Sequence, residues 1–317
     1  MAEGNQNEPA NVSYAVFLLL GFPGIQQSRS LLFIPFFCLY VMIVVANSLL
    51  IHTVKVEESL HSPMYVLIAL LLAVDICSTS TFLLDLSEIS LAGCLVQMFF
   101  FYFMLMLDCN ILLMMALDRY VAICKPLRYA EIMTKKFLIQ LTLAALVQSV
   151  SFVSPVVVLT SKVRFCRSNV IRHFVCENMA LMRLSCGDIS RNKLVGLIVR
   201  STRIIFDGSF LLASYSKIIQ AALKITSGNL RHKAFHTCSS HLTVILVVYC
   251  SSLSSSIVYW AGKSVSQDTY NLLTAMYLLL PCAINPIVHG LRTKEIREHL
   301  WKLFKRRSAL VPLSQQL

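Results

Sequence analysis

The sequence predicts an all-α membrane protein: a seven-transmembrane helix bundle followed by a short amphipathic C-terminal helix. Three observations carry that reading. Of 317 residues, 56% are hydrophobic and only 14% charged, with a mean hydropathy of +0.69. A soluble domain carries roughly 25% charge. Seven apolar segments reach the roughly 20 residues that a helix needs to cross hydrocarbon. They lie near 30–54, 63–86, 96–122, 137–160, 194–218, 235–260 and 270–291. Lys and Arg then crowd the connections after the third and before the sixth segment, and the stretch after the seventh. Cytoplasmic loops carry such an excess. An odd number of spans puts the termini on opposite sides, so the expected arrangement is N-terminus outside and C-terminus inside, in the plasma membrane. The net charge of +12 would suit nucleic acid, but the apolar runs argue for membrane lipid as the partner and no nucleic acid.

The predicted organisation is an extracellular tail over 1–29, a membrane domain over 30–291, and a cytoplasmic helix and tail over 292–317. The opening residues MAEGNQNEPANVSY lack a basic n-region, so no cleavable signal peptide is expected. Asn11-Val12-Ser13 fits the N-glycosylation pattern, against the reading of a chance triplet.

Polar residues interrupt several spans: Asn47 in the first, Asp75 in the second, Asp108 in the third and Asn285 in the seventh. Ionisable groups in a span usually face the bundle interior. Two readings are open. The four form one buried cluster holding a cation between the carboxylates, or each makes its own helix-to-helix hydrogen bond. Asn285-Pro286 permits a kink in the seventh helix, static or moving. Asp118-Arg119-Tyr120 ends the third helix. Arg119 is charged at any accessible pH. It is either a boundary residue paired with its neighbour or a contact for a cytoplasmic partner.

The connection between the fourth and fifth spans breaks the charge trend. It carries Lys162, Arg164, Arg167, Arg172, Arg183, Arg191 and Lys193, yet must lie outside. Long loops translocate largely regardless of charge. The tail 293–307 places Ile296, Leu300, Leu303 and Phe304 on one face among basic residues, which suits a helix lying on the inner leaflet.

A ligand site between helices is concave and mostly apolar, with a few polar groups. On the sixth helix Tyr249, Ser252, Ser256 and Tyr259 share one stripe, with Ser255 beside it and Trp260 at the end. These serines line a pocket wall or bond back to their own helix. Tyr102, Leu105 and Met106 lie two to three turns inside Cys94, and Met179 follows Cys176 by three residues as a lid candidate. Arg200 and Arg203 sit in the outer half of the fifth helix. Arg203 and Asp207 are four residues apart, which suits a same-helix ion pair. The alternative is that Arg203 or Arg200 receives an anionic ligand.

Of 11 cysteines, Cys94, Cys166, Cys176 and Cys186 fall in outer segments, where disulfides form. Four cysteines allow three connectivities, and spacing does not choose among them. The lack of a CxxC pair argues against a transition-metal site. No nucleophile–base pair or phosphate loop stands out, so no enzyme activity is expected.

Several stretches resemble one family closely. MALDRYVAICKPLRY at 115–129 is similar to the odorant-receptor signature closing the third helix. LHSPMYVLIALLLAVDI at 60–76, KAFHTCSSHLTVILVVY at 233–249 and PCAINPIVHGLRTKEIR at 281–297 resemble its second-, sixth- and seventh-helix motifs. FLLLGFPGI at 17–25 looks like the N-terminal motif of its class I, fish-like branch. The resemblance implies a rhodopsin-like G-protein-coupled receptor for a small organic odorant, coupled to a heterotrimeric stimulatory G protein that raises cyclic AMP. It implies Arg119 as the G-protein contact restrained by Asp118, Tyr249 as a relay, and Asp75 with Asp108 as a sodium or hydrogen-bond site, with no other cofactor. It implies disulfides Cys94–Cys176 and Cys166–Cys186. Departures are Ala46 before Asn47, where the family usually has glycine, and His289, where tyrosine is usual. A third is Asp108, where glutamate is commoner in this branch. Trp260 stands where some class I receptors for carboxylic acids have a basic residue, so that clamp does not carry over. The alternatives are a metabolite or fatty-acid chemosensor outside olfaction and, from another class, a transporter or channel, whose paired repeats are absent.

Overall fold

Seven long helices form the bundle: α1 (Arg29–Val56), α2 (Pro63–Ser80), α3 (Leu91–Cys124), α5 (Lys135–Ser161), α7 (Ser190–Leu223), α8 (Gly228–Ala261) and α9 (Gln267–Arg292). Two short helices, α4 (Tyr129–Ile132) and α6 (Asn178–Met182), lie in the connections. The structure is a computed structural model that describes residues 13–22, 29–81, 88–261, 266–292 and 296–301. Side chains at 29–33, 230, 233, 237, 252, 254–261, 291 and 292 also lie outside the described set.

Local chemistry starts these helices where the sequence breaks. Ser90 caps α3 by accepting from the Gly93 amide at 3.1 Å, and Thr134 caps α5 through the Phe137 amide at 3.2 Å. Each satisfies one of the orphan donors of a first turn. Pro63 opens α2, where its missing N–H costs nothing.

The central helix is α3, which packs on α2, α5, α7 and α8, while α9 closes the ring against α1, α2 and α8. The shared core runs through Leu67, Leu71, Leu112, Met115, Ile218 and Val244. Large apolar side chains also cover the outside: Val147 is 66% exposed and Leu212 72%. An outer face of that kind is stable in lipid, not in water.

Six of the described helices are long and apolar enough to cross a membrane, in α1, α2, α3, α5, α8 and α9. The expected fifth span lies in α7, which has the length but carries Arg200, Arg203, Asp207 and Lys217. It is held in the bundle by α3, α5 and α8, with Arg203 and Asp207 turned inward and buried. The expected second span, 63–86, ends its helix at Ser80, and residues 82–87 lie outside the described residues.

One element was not expected. Three short strands, β1 (Val16–Leu19), β2 (Glu88–Ser90) and β3 (Val170–Ile171), form a sheet in the order β2-β1-β3. β1 runs antiparallel to β2, with Phe17 opposite Ile89, and parallel to β3, with Leu18 opposite Val170. Phe17 and Leu19 point down into a second core with Met98, Phe165, Ile171, Leu181 and Met182. Gly21 ends β1 at φ 62, a conformation that glycine takes at no steric cost. The sheet thus caps one end of the bundle, called here the lid end.

Residues 296–301 are helical. Ile296 is buried, and with Leu300 it packs on the bundle core. His299 pairs with Glu57 at 3.2 Å. Leu303 and Phe304 lie outside the described residues.

Candidate ligand cavity and buried polar networks

Below the lid, a cavity of about 900 Å³ opens between α3, α5, α7, α8 and α9. It gathers Tyr102, Leu105, Met106 and Asp108 from α3, Met179 from the lid, and Arg200 and Arg203 from α7. Tyr249 and Asn285 also line it. The structure thus brings together every described candidate for the pocket. The side chains of Ser252, Ser255, Ser256, Tyr259 and Trp260 lie outside the described residues, although their backbone is helical.

The lid is fastened from several sides. Disulfide Cys94–Cys176 ties the first turn of α3 to it, with Cα atoms 5.4 Å apart, and Cys166–Cys186 closes a loop within it, with Cα atoms 5.7 Å apart. The Cys176 amide donates to Gln97 Oε1 at 3.0 Å. The Asn178 amide donates to Tyr102 Oη at 3.3 Å. Tyr270 Oη donates to Glu177 Oε2 at 3.0 Å. His173 is fully buried, stacked on Phe174, and its Nδ1 accepts from the Val175 amide at 3.2 Å. Burial pushes its pKa down, against the pull of Glu177. Just ahead of α7, Asp188 accepts from the Ser190 amide and hydroxyl, and those bonds hold its carboxyl below the usual range.

A polar chain crosses the cavity wall. Arg203 Nε lies 2.9 Å from Asp207 Oδ2, and its Nη2 donates to Asn110 Oδ1 at 2.8 Å. Asn110 Nδ2 donates in turn to Ser149 Oγ at 3.1 Å on α5. Tyr249 Oη on α8 donates to Asp207 Oδ2 at 2.7 Å. One buried ion pair thereby links α3, α5, α7 and α8. Arg203 Nη1 remains without a hydrogen-bond partner, and Arg200, exposed at the cavity edge, has no ion-pair partner among the described residues.

Deeper in the bundle, Asn285 Nδ2 donates to Asp75 Oδ2 at 2.9 Å. Asn47 Nδ2 instead donates to the carbonyls of Ile43 and Cys282, at 2.8 and 3.2 Å. Asp75 and Asp108 lie within electrostatic reach of one another. Five buried oxygens here have no partner: Asp75 Oδ1, Asp108 Oδ1, Asn47 Oδ1, Asn285 Oδ1 and Ser78 Oγ. An all-oxygen donor set with two carboxylates fits a hard cation such as sodium.

At the far end, Arg119 Nη2 donates to Asp118 Oδ2 at 2.9 Å. Tyr129 Oη donates to Asp118 Oδ1 at 2.7 Å. The Tyr129 hydroxyl is pushed up by burial and then by the Asp118 carboxylate. Tyr120 packs against the core. Tyr215 Oη and His241 Nδ1 are 2.6 Å apart, bridging α7 and α8. His289 and His241 are buried, and each Nε2 has no partner. Pro286 lies inside α9, as does Pro281 one turn nearer the lid.

Sequence reasoning missed Asn110, Ser149, Ser78 and Tyr129. Asn110 offered a signal, as an amide inside an otherwise apolar run. Tyr129 stood within the signature but outside its acidic–basic pair.

The profile of the olfactory receptor family matches residues 36–307. Human olfactory receptor 52K1 is 37% identical over 311 residues, covering 95% of this chain and 99% of that protein. Human olfactory receptor 52N2 is 37% identical over 295 residues, covering 90% and 92%. Mouse olfactory receptor 51E2 is 37% identical over 303 residues, covering 93% and 95%. The chain is therefore a multi-pass membrane receptor and not an enzyme, and it belongs to the olfactory receptor family of seven-helix G-protein-coupled receptors.

Proposed function

We propose that this chain binds a small organic odorant in the 900 Å³ cavity and activates a stimulatory, cyclic-AMP-raising G protein at the Arg119 end. The observation that carries the reading is the continuity of α3. One helix puts Tyr102 and Leu105 in the cavity wall and the Asp118–Arg119 pair at the opposite end. Ligand in the cavity then biases an existing equilibrium between resting and active packings. The lid end faces outside and the Arg119 end the cytoplasm, which the basic stretches around Lys125, Arg128, Lys135 and Lys136 support. Asn11 carries a glycan and lies outside the described residues. Asp118 and Tyr129 restrain Arg119 at rest, and Tyr120, Tyr249, Asn285, Pro286 and His289 belong to the moving parts.

A sodium ion is proposed among Asp75, Asp108, Asn47, Asn285 and Ser78. It would supply positive charge between two buried carboxylates. An anionic odorant is proposed as one ligand class. Its support is Arg203 Nη1, a buried donor without a partner on the cavity wall.

The test is a cyclic-AMP reporter screen with a diverse odorant panel in cells expressing the wild type or Arg119→Ala at equal surface level. Responses to some odorants in the wild type and none in Arg119→Ala are expected. A response that persists unchanged in Arg119→Ala, or ligand-driven ion flux without cyclic AMP, sinks the reading.

A further inference from the structure

Beside the main cavity, at the lid end, lies a second concavity of about 320 Å³. Arg167, Arg172 and Arg183 all line it, together with Ser168 and Gln267. Met179, Arg183 and Tyr270 border both cavities. All three arginines are exposed, so water screens their mutual repulsion, and an anion among them would lower it further.

The segment around it is basic. The connection 162–193 holds seven cations against the two carboxylates Glu177 and Asp188. Glu177 accepts from Tyr270, whose ring lines both cavities. Asp188 is engaged by Ser190. Among the described residues, neither Arg167 nor Arg172 has an acidic side-chain partner. The first turn of α9, with Gln267 and Tyr270 on the wall, adds the positive end of a 26-residue helix.

The frame is rigid. The Arg167 amide donates to the Leu184 carbonyl at 3.3 Å, beside disulfide Cys166–Cys186. The Arg172 carbonyl accepts from Gln267 Nε2 at 3.0 Å and Asn271 Nδ2 at 3.3 Å. Arg183 Nη1 donates to Gln267 Oε1 at 3.2 Å. All three arginines are therefore anchored, at backbone or side chain, before any ligand arrives. Planar guanidinium groups present paired N–H donors that match carboxylate oxygens.

We propose that the Arg167–Arg172–Arg183 concavity is an anion-binding site, separate from the main cavity, that takes a small dicarboxylate. Each carboxylate finds an arginine partner, and the third arginine leaves the occupied site with a net charge of one positive unit. The site stands at the mouth of the main cavity, so it also concentrates acidic ligands there. It does not depend on signalling.

The experiment uses the full-length receptor in phosphatidylcholine nanodiscs. Arginine labelling by phenylglyoxal is followed at each residue by mass spectrometry, with succinate as the probe. Succinamide serves as the neutral isostere and sodium chloride as the ionic-strength control. With a millimolar site, on the order of 10 mM succinate slows labelling of Arg167 and Arg172 about tenfold. Succinamide and matched salt leave it unchanged, and Arg183→Gln shifts the succinate dependence to higher concentration. Equal labelling with and without succinate overturns the proposal, as does equal protection by sodium chloride. Because the readout is chemical, loss of every odorant response with protection intact would count against the receptor reading alone. Odorant responses without protection would count against this site alone.

Discussion

Removing Asp207 should damage the receptor far more than removing Arg203. Arg203 is 6% exposed and Asp207 1%, and they meet at 2.9 Å. In Asp207→Leu the guanidinium stays buried with only Asn110 as partner, and it cannot lose its proton. Stranding a buried charge in this way costs about 3–5 kcal/mol. Tyr249 Oη also loses its acceptor. In Arg203→Leu the stranded group is a carboxylate, which keeps the Tyr249 donor at 2.7 Å and can neutralise itself by taking a proton. That loss is about 1–3 kcal/mol. The double variant Arg203→Leu/Asp207→Leu leaves no stranded charge and should lose only about 1–2 kcal/mol, at Asn110 Oδ1 and Tyr249 Oη, which each lose a partner. Thermal unfolding of purified receptor in nanodiscs reads the difference. At roughly 2–4 °C per kcal/mol, Asp207→Leu should lose about 10 °C and the double variant only a few degrees. Equal losses for the two single variants, or a double variant whose loss is their sum, would refute a buried, mutually dependent pair.

Three further outcomes follow from the same geometry. On the stable double background, Arg203→Leu/Asp207→Leu should abolish cyclic-AMP responses to carboxylic acids while surface expression, read by cell-surface immunostaining, stays near wild type; unchanged acid responses would remove Arg203 from the site. Tyr129→Phe takes one of two donors from the buried Asp118 and weakens the resting pair by about 1–3 kcal/mol, so odorant-independent cyclic AMP should rise several-fold; no rise would mean Tyr129 does not restrain Arg119. His173 has a folded pKa below its unfolded value, so its stabilising effect is present above about pH 6.5 and fades as pH falls. Hydrogen exchange at Val175, corrected for its intrinsic pH dependence, should quicken as pH falls below 6.5 and lose that dependence in His173→Phe.

The bundle was legible because a span must be long and apolar, and that signal survives in sequence. α7 shows its limit: the helix is there, but its charges become tolerable only once Arg203 meets Asp207 and Asn110 inside the bundle. The lid sheet was hidden for a different reason. Strands of four, three and two residues carry almost no periodic signal, and their pairing joins residues 16–19, 88–90 and 170–171. The pocket was legible on α3 and α7, where Tyr102, Leu105, Met106, Arg200 and Arg203 share one wall. Its polar backing was not, because Ser149 is one of several serines on α5 and only packing shows which one meets Asn110. At the far end the Asp118–Arg119 pair could be read from adjacency, whereas the Tyr129 bond closes over a turn that sequence alone does not specify.

The most direct measurement is nucleotide release from a purified stimulatory G protein by purified receptor in nanodiscs, with an odorant active in the cell screen. Expected is faster release on adding odorant to the wild type, with odorant binding retained but release unaccelerated in Arg119→Ala. Wild-type receptor that binds the odorant yet leaves release unchanged would contradict the link from the 900 Å³ cavity to Arg119.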